Sequence, residues 1–251
     1  MGFTVDVANR LVTVDHSHNN YSVTTPAGNP TVLTLANGLK VTSIFSRTKG
    51  KKAKRGQKAP LGDNSPMLYA LKGMHQLQTT RRTVIDLYLS YRQILPVFVT
   101  AGFQWDWLLP LPSSSNLTAL FANRVCTESG VGVCHHGAMV KISAQQVLIN
   151  LGALQIKSSD RSAIREDVNR FIKYNSPQTA FQIKAISRTH LRPYINPLMW
   201  GHLPAVAPPR RALLIDDMVT TGTSLVCASD ILRLRYPTVQ IEALTLFGST
   251  K

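Results

Sequence analysis

A chain of 251 residues with 44% hydrophobic content can bury the core of one large domain with an extension, and its composition is that of a folded protein rather than a disordered one. Its apolar residues never run together for the roughly 18 positions a membrane-crossing helix requires, so no membrane partner is expected. Twenty-eight Lys and Arg against 13 Asp and Glu leave a net charge of +15, which attracts polyanions such as nucleic acid, nucleotides or pyrophosphate.

Three cysteines, Cys126, Cys134 and Cys227, cannot form an even disulfide framework, and the N-terminus carries no charged leader before an apolar stretch. Reduced thiols in a cytoplasmic protein are expected. Cys126, Cys134, His135 and His136 fit no standard zinc spacing and are read as ordinary packing.

Residues 1–48 read as a β-rich extension. Phe3, Val5 and Val7, then Val12 and Val14, alternate with polar neighbours, and Asn37-Gly38 between Leu35 and Leu39 signals a hairpin with positive φ at both turn positions. A small antiparallel sheet is predicted. Residues 49–64 form a basic flexible loop. Between Lys40 and Lys58 lie eight Lys or Arg and no acid, and Lys49, Lys51, Lys52, Lys54 and Arg55 are candidate nucleic-acid contacts. With no interleaved aromatic residues, such contacts would go to phosphates and be blind to sequence.

From residue 65 to 251 the chain reads as one α/β domain. Ser65-Pro66 marks a helix start, and Thr80 caps a second helix carrying Val84, Leu87, Tyr91 and Leu95. Asp106–Leu111 reads as a short buried strand, followed by a polar loop and a helix from Leu117 to about Glu128. Ala138–Ile142 reads as a strand, Asp160–Tyr174 as a charged amphipathic helix and Phe181–Leu191 as a strand or hairpin. Ala212–Ile215 is a strand, Ser224–Arg235 a helix and Val239–Phe247 a final strand. This alternation predicts a central, mostly parallel sheet flanked by helices, interrupted by an insert over about 143–205.

The chemistry concentrates at Leu213-Leu214-Ile215-Asp216-Asp217-Met218-Val219-Thr220-Thr221-Gly222-Thr223-Ser224. A doubly buried strand ends in two adjacent carboxylates, and a hydroxyl- and glycine-rich turn then enters a helix. Ligands of open α/β sheets bind beyond the carboxyl ends of strands. In such a turn converging N–H groups, hydroxyls and the helix dipole cradle a phosphate, while Gly222 permits close approach. Asp216 and Asp217 repel that phosphate but accept hydrogen bonds from sugar hydroxyls or bear on a hard cation such as Mg²⁺. A ribose 5-phosphate satisfies both halves.

The stretch resembles the signature of type I phosphoribosyltransferases: four apolar residues, two acids, two variable residues, then Thr-Thr-Gly-x-Thr/Ser, with Ser224 last. Within that family the chain is most similar to the competence-protein-F-like group. Its strand ends Pro-x-Pro at Pro110-Leu111-Pro112, and Ala70-Leu71-Lys72 resembles an earlier Leu-Lys element. The resemblance implies phosphoribosyl pyrophosphate or a ribose 5-phosphate nucleotide as ligand, Mg²⁺ as cofactor, and transfer of the phosphoribosyl group to or from a nitrogenous base. It gives Asp216 and Asp217 the ribose hydroxyls, directly or through Mg²⁺ and water. Thr220, Thr221, Gly222, Thr223 and Ser224 take the 5′-phosphate, and Ser113, Ser114 and Ser115 form the pyrophosphate loop. That loop reads Ser-Ser-Ser-Asn-Leu where the group has Arg-Gly-Phe-Asn-Gln, so Lys141, Arg161, Arg165 or Arg188 is expected to supply the cation. The group's N-terminal cysteine cluster is also missing. The resemblance also implies a hood outside the sheet that recognises the acceptor, formed by the N-terminal strands, the 143–205 insert or both; Trp200, Tyr194 and Phe181 are candidates to stack on the base, and His190 and His202 lie near the insert. A homodimer is implied by the family. The other reading is a non-catalytic nucleotide-sensing regulator, or a nucleic-acid-associated effector of a defence or toxin system, held in a nucleoprotein complex through the basic loop.

Overall fold

The computed structural model describes residues 1–48 and 64–250. In chain order these form β1 (Gly2–Asp6), β2 (Leu11–Asp15), β3 (Ser22–Val23), β4 (Thr31–Thr34), β5 (Lys40–Arg47), α1 (Pro66–Leu71), β6 (Gln78–Thr79), α2 (Arg81–Thr100) and β7 (Trp107–Pro110). There follow α3 (Leu117–Ser129), β8 (Val133–Cys134), β9 (Met139–Lys141), α4 (Ala144–Ala153), α5 (Ser158–Tyr174), two 3-10 turns (Ile183–Ala185 and Thr189–Tyr194), β10 (Leu198–Trp200), β11 (Arg211–Met218), α6 (Thr223–Arg235) and β12 (Gln240–Thr250). The predicted basic contacts Lys49, Lys51, Lys52, Lys54 and Arg55 lie outside the described residues. Among the described residues no helix is long and apolar enough to cross a membrane.

The central sheet runs β3-β5-β12-β11-β7-β8, with β4 also paired to β5. Neighbours from β5 to β8 are parallel, and only β3 and β4 run antiparallel, on the β5 edge. The protein is therefore a mixed α/β fold with a mostly parallel sheet. Ala212, Leu213, Leu214 and Ile215 of β11 are wholly buried, as a strand covered on both faces must be. Alternation divides them. Leu213 and Ile215 join a core with Tyr91 of α2 and Phe121 and Val125 of α3. Ala212 and Leu214 join a second core with Leu225, Ala228 and Leu232 of α6. The helices that follow the neighbouring strands β7 and β11 thus cover opposite faces of the sheet. Between the carboxyl ends of those two strands the connections diverge and a crevice opens.

The N-terminal strands differ from the independent antiparallel sheet expected of them. The β1–β2 hairpin is antiparallel, but β5 enters the central sheet beside β12, where Val41, Ile44 and Phe45 are buried. The hidden reason is polar: Ser43 and Thr245, side by side in the parallel pair, share a buried hydrogen bond of 2.8 Å, so a strand that reads as partly polar satisfies itself inside the sheet. The β4–β5 connection is also not a two-residue hairpin. Gly38 N–H donates to Leu35 O at 2.9 Å and only Gly38 has positive φ (80°), the pattern of a type I turn closed by a left-handed residue. Asn37 instead donates to Ser229 Oγ at 2.9 Å, tying this turn to the middle of α6, the helix after β11.

Two further expectations are corrected. Met139–Lys141 is a strand, but it pairs antiparallel with β10 outside the central sheet. Phe181–Leu191 is not a strand or hairpin; it runs through the two 3-10 turns. Ile186 and Leu191 of this arm, with Phe181, are wholly buried in a third core against Val147 and Leu151 of α4 and Ile164 and Val168 of α5. Ser65 precedes α1 with Pro66 in its first turn, as read from the sequence, yet the Ser65 hydroxyl does not cap the helix and accepts from Arg47 instead. Thr80 does cap α2, accepting from Thr83 N–H at 3.1 Å.

Candidate functional site

The crevice holds two adjoining cavities, of about 240 and 140 Å³. The larger lies between the turn after β7, α1 and the hood, and the smaller lies over the turn between β11 and α6. Asp216, Met218, Ile183, Lys184 and Ser224 line both, so Asp216 stands at their junction.

Thr220, Thr221, Gly222, Thr223 and Ser224, expected from the sequence to cradle a phosphate, all line the smaller cavity. Gly222 is the N-cap of α6 in the left-handed conformation (φ 75°), and no side chain caps the helix or places an acid in its first turn. The first-turn N–H groups therefore open onto the cavity with the positive end of the helix dipole behind them. Glycine is required here twice over. A Cβ on Gly222 would lie 2.5 Å from Cδ1 of Leu35, the residue that begins the β4–β5 turn, so the N-terminal segment packs directly against the Gly222 turn. Gly222→Ala should cost about 1–2 kcal/mol from the backbone alone, measured by urea unfolding. Adding Leu35→Ala should recover only the steric part.

The two adjacent carboxylates stand in different surroundings. As neighbours in a strand they project to opposite faces. Asp217 points toward the α1–α3 side and is 6% exposed. Its Oδ2 accepts from Ser113 Oγ and Thr118 Oγ1, both at 3.0 Å, and forms an ion pair with Lys72. Asp216 points toward the hood and is half-buried. Its Oδ1 accepts from the Asp217 N–H at 2.8 Å. Burial, and then the charge of Asp217, push its carboxyl up to about 7, an effect that this N–H, Lys72 and Lys141 oppose only in part.

The turn after β7 delivers Ser113 and Ser114 to the larger cavity, beside Asp216 and Asp217. Ser115 faces the other way, accepting from Leu117 N–H at the start of α3 (3.4 Å), and lines neither cavity. Of the cations nominated for this end, only Lys141 reaches it, from β9. Burial holds the Lys141 ammonium below its usual range, with Asp216 acting in the opposite sense. Arg161 donates to Leu154 O at 2.6 Å, and neither it, Arg165 nor Arg188 lines the crevice. Lys72, Thr118, Lys184 and Arg192 complete the site and were not assigned from the sequence. Lys72 had a signal in its Ala-Leu-Lys context. The other three had none, because each is brought in by a separate element. Trp200 and Tyr194 do not line the crevice; Trp200 packs under Arg235, whose guanidinium carbon lies 4.9 Å from the ring centre. Phe181 does line it, but as a wholly buried wall. His190 and His202 lie outside it.

Four basic side chains (Lys72, Lys141, Lys184, Arg192) and two carboxylates line the two cavities together. With Asp217 neutralised by Lys72, the surplus is positive, and the site is suited to a polyanion that also carries hydroxyls. No protein-family model matches this chain, and no curated protein is similar to it in sequence.

Proposed function

We propose that this chain is a phosphoribosyltransferase-like protein that binds phosphoribosyl pyrophosphate and transfers its phosphoribosyl group to or from a nitrogenous base. One observation carries the reading: two adjoining cavities at the carboxyl ends of β7 and β11 meet at a half-buried carboxylate, Asp216. The 5′-phosphate belongs in the 220–224 cradle, the ribose hydroxyls at Asp216, and the pyrophosphate between Ser113, Ser114, Lys72 and Lys141. Two phosphate ends with a diol between them match the order of the groups along the crevice.

Asp217 serves the site indirectly. Its three contacts fix the Ser113 turn and Lys72, so that hydroxyl and ammonium face the leaving group without rearrangement. Asp216 has a second task, since its carboxylate offsets the positive charge that builds on the ribose ring as the bond to pyrophosphate lengthens. A ring nitrogen of the base attacks the anomeric carbon, its lone pair forming the new bond while the bonding pair leaves with pyrophosphate. Tyr69 of α1 and Gln182 of the insert both line the larger cavity and are the candidates to contact such a base. The oxygen donors fit Mg²⁺, which is commonly held by one or two carboxylates together with substrate phosphates. Asp216, with Asp217 behind it, would hold the ion, and its repelled carboxylate gains from a nearby cation. When bound, Mg²⁺ neutralises the leaving pyrophosphate.

Calorimetric titration with phosphoribosyl pyrophosphate should give saturable binding in MgCl₂ and at least tenfold weaker binding in EDTA. Release of pyrophosphate should follow on adding the accepted base from a panel of purines and pyrimidines. Absence of binding in both media sinks the proposal. Mg²⁺-dependent binding with no release across the panel would assign the site to ligand sensing instead.

A further inference from the structure

The hood arm Phe181–Tyr194 has two faces of opposite chemistry. Ile186 and Leu191 are sunk in the hood core, while Lys184 and Arg192 line the cavity over the Thr220–Ser224 cradle. Neither Lys184 nor Arg192 forms an ion pair among the described residues. Asp216 also lines this cavity but pairs with neither cation, so two cations beside a helix N-terminus repel each other unless an anion lies between them.

The arm is irregular backbone, yet it is held at defined points. Arg192 Nε donates to Ile186 O at 3.0 Å and its Nη2 reaches Lys184 O at 3.5 Å, so one guanidinium stitches the two 3-10 turns together. The second anchor is Asp167 of α5, 4% exposed. Its Oδ2 accepts from Ser187 N–H at 2.9 Å and from Ser187 Oγ at 2.8 Å, and its Oδ1 pairs with Arg170 at 3.2 Å. A buried carboxylate with this set of donors fixes the backbone between the two cations.

We infer that the arm is a phosphate clamp: Lys184 and Arg192 close over the phosphate seated in the 220–224 cradle, and Asp167, a positioning residue, latches the arm in that pose through Ser187. The inference rests on the reading under Proposed function and adds to it. The cradle supplies dipoles and hydroxyls, and the hood supplies the full charges. Ligands that carry the ribose phosphate are selected over those that carry only the pyrophosphate end.

The test uses the full chain, two probes and three variants. Ribose 5-phosphate reports the clamp, and inorganic pyrophosphate with Mg²⁺ reports the Ser113–Lys72 end. Lys184 is exposed, so Lys184→Ala leaves the fold intact. It should weaken ribose 5-phosphate binding about tenfold, the usual size for one charge-assisted hydrogen bond. Because Lys184 also borders the larger cavity, pyrophosphate affinity should fall too, but by a clearly smaller factor, about threefold at most on the same scale. Asp167→Ala should show the same split between probes, and Asp167→Asn, which still accepts from Ser187, should restore most of the lost affinity. Unchanged ribose 5-phosphate binding in Lys184→Ala, or equal weakening of both probes, overturns the clamp while leaving the phosphoribosyl site standing. Failure of the wild-type chain to bind ribose 5-phosphate or phosphoribosyl pyrophosphate overturns both.

Discussion

Replacing Asp216 with Asn will abolish Mg²⁺-dependent binding of phosphoribosyl pyrophosphate and, in the same protein, raise the stability of the ligand-free state at pH 8. The two effects share one cause. Burial and Asp217 hold the Asp216 carboxyl at about 7 instead of 3.8. Between those values the folded state binds a proton that the unfolded state has released, so this group's contribution to stability falls as pH rises from about 4 to 7. Above about 7 the charged carboxylate is an unrelieved penalty. Asn removes the charge but keeps an oxygen to accept from the Asp217 N–H. Because the side chain also opens onto the crevice, the gain is on the order of 2 kcal/mol, well below what the full displacement implies. For a chain of this size that is about 4–8 °C in melting temperature. The difference between variant and wild type should vanish near pH 4 and reach its full size above pH 7. In the wild type, ligand affinity should rise over the same interval as the carboxylate ionises. A melting temperature for Asp216→Asn at or below the wild type at pH 8 would contradict the placement of this carboxylate.

The opposite outcome is expected one residue later. Asp217→Ala leaves the Lys72 ammonium, whose side chain is 11% exposed, without its counter-charge and strips Ser113 and Thr118 of their shared acceptor. Removing one partner of a buried ion pair typically costs about 3–5 kcal/mol. The loss should appear as a lower urea midpoint with an unchanged slope. Lys72→Met in the Asp217→Ala background should return a large part of it, since no uncompensated charge then remains. A double-mutant cycle would read the coupling directly. If the two losses simply add, Lys72 and Asp217 are not the unit described here. Both variants should lose pyrophosphate-dependent binding, but only the Asp217 change should unfold more readily than the double replacement.

The contrast between neighbouring acids explains how far the sequence can be read. Leu213 to Ser224 announced a strand, two acids and an anion-binding turn, because each of those is a local property: burial on both faces, adjacent like charges, hydroxyls and a glycine before a helix. The same run concealed which acid does what. With apolar residues at every position from 212 to 215, no alternation of polar and apolar residues marks the faces. The division between Asp216 and Asp217 exists only once α3 and α6 have covered opposite sides of the sheet. Within the insert, the amphipathic helix read at Asp160–Tyr174 is present as α5, two residues longer at its start. The insert's arm was misread as a strand because Phe181, Ile183 and Ile186 have strand-like composition, while their burial comes from α4 and α5 rather than from a sheet.

What this sequence determined alone is the local chemistry of one turn and the order of strands and helices around it. Those follow from short-range sterics, from capping and from the periodicity of apolar residues, all of which act within a dozen positions. Only the tertiary structure decided that β5 joins the parallel sheet, that Leu35 packs against Gly222, that Thr118 reaches Asp217, and that Lys72, Lys141, Lys184 and Arg192 converge on the crevice from separate elements. Convergence of that kind depends on which faces are buried against one another, and no local pattern encodes the partner of a face.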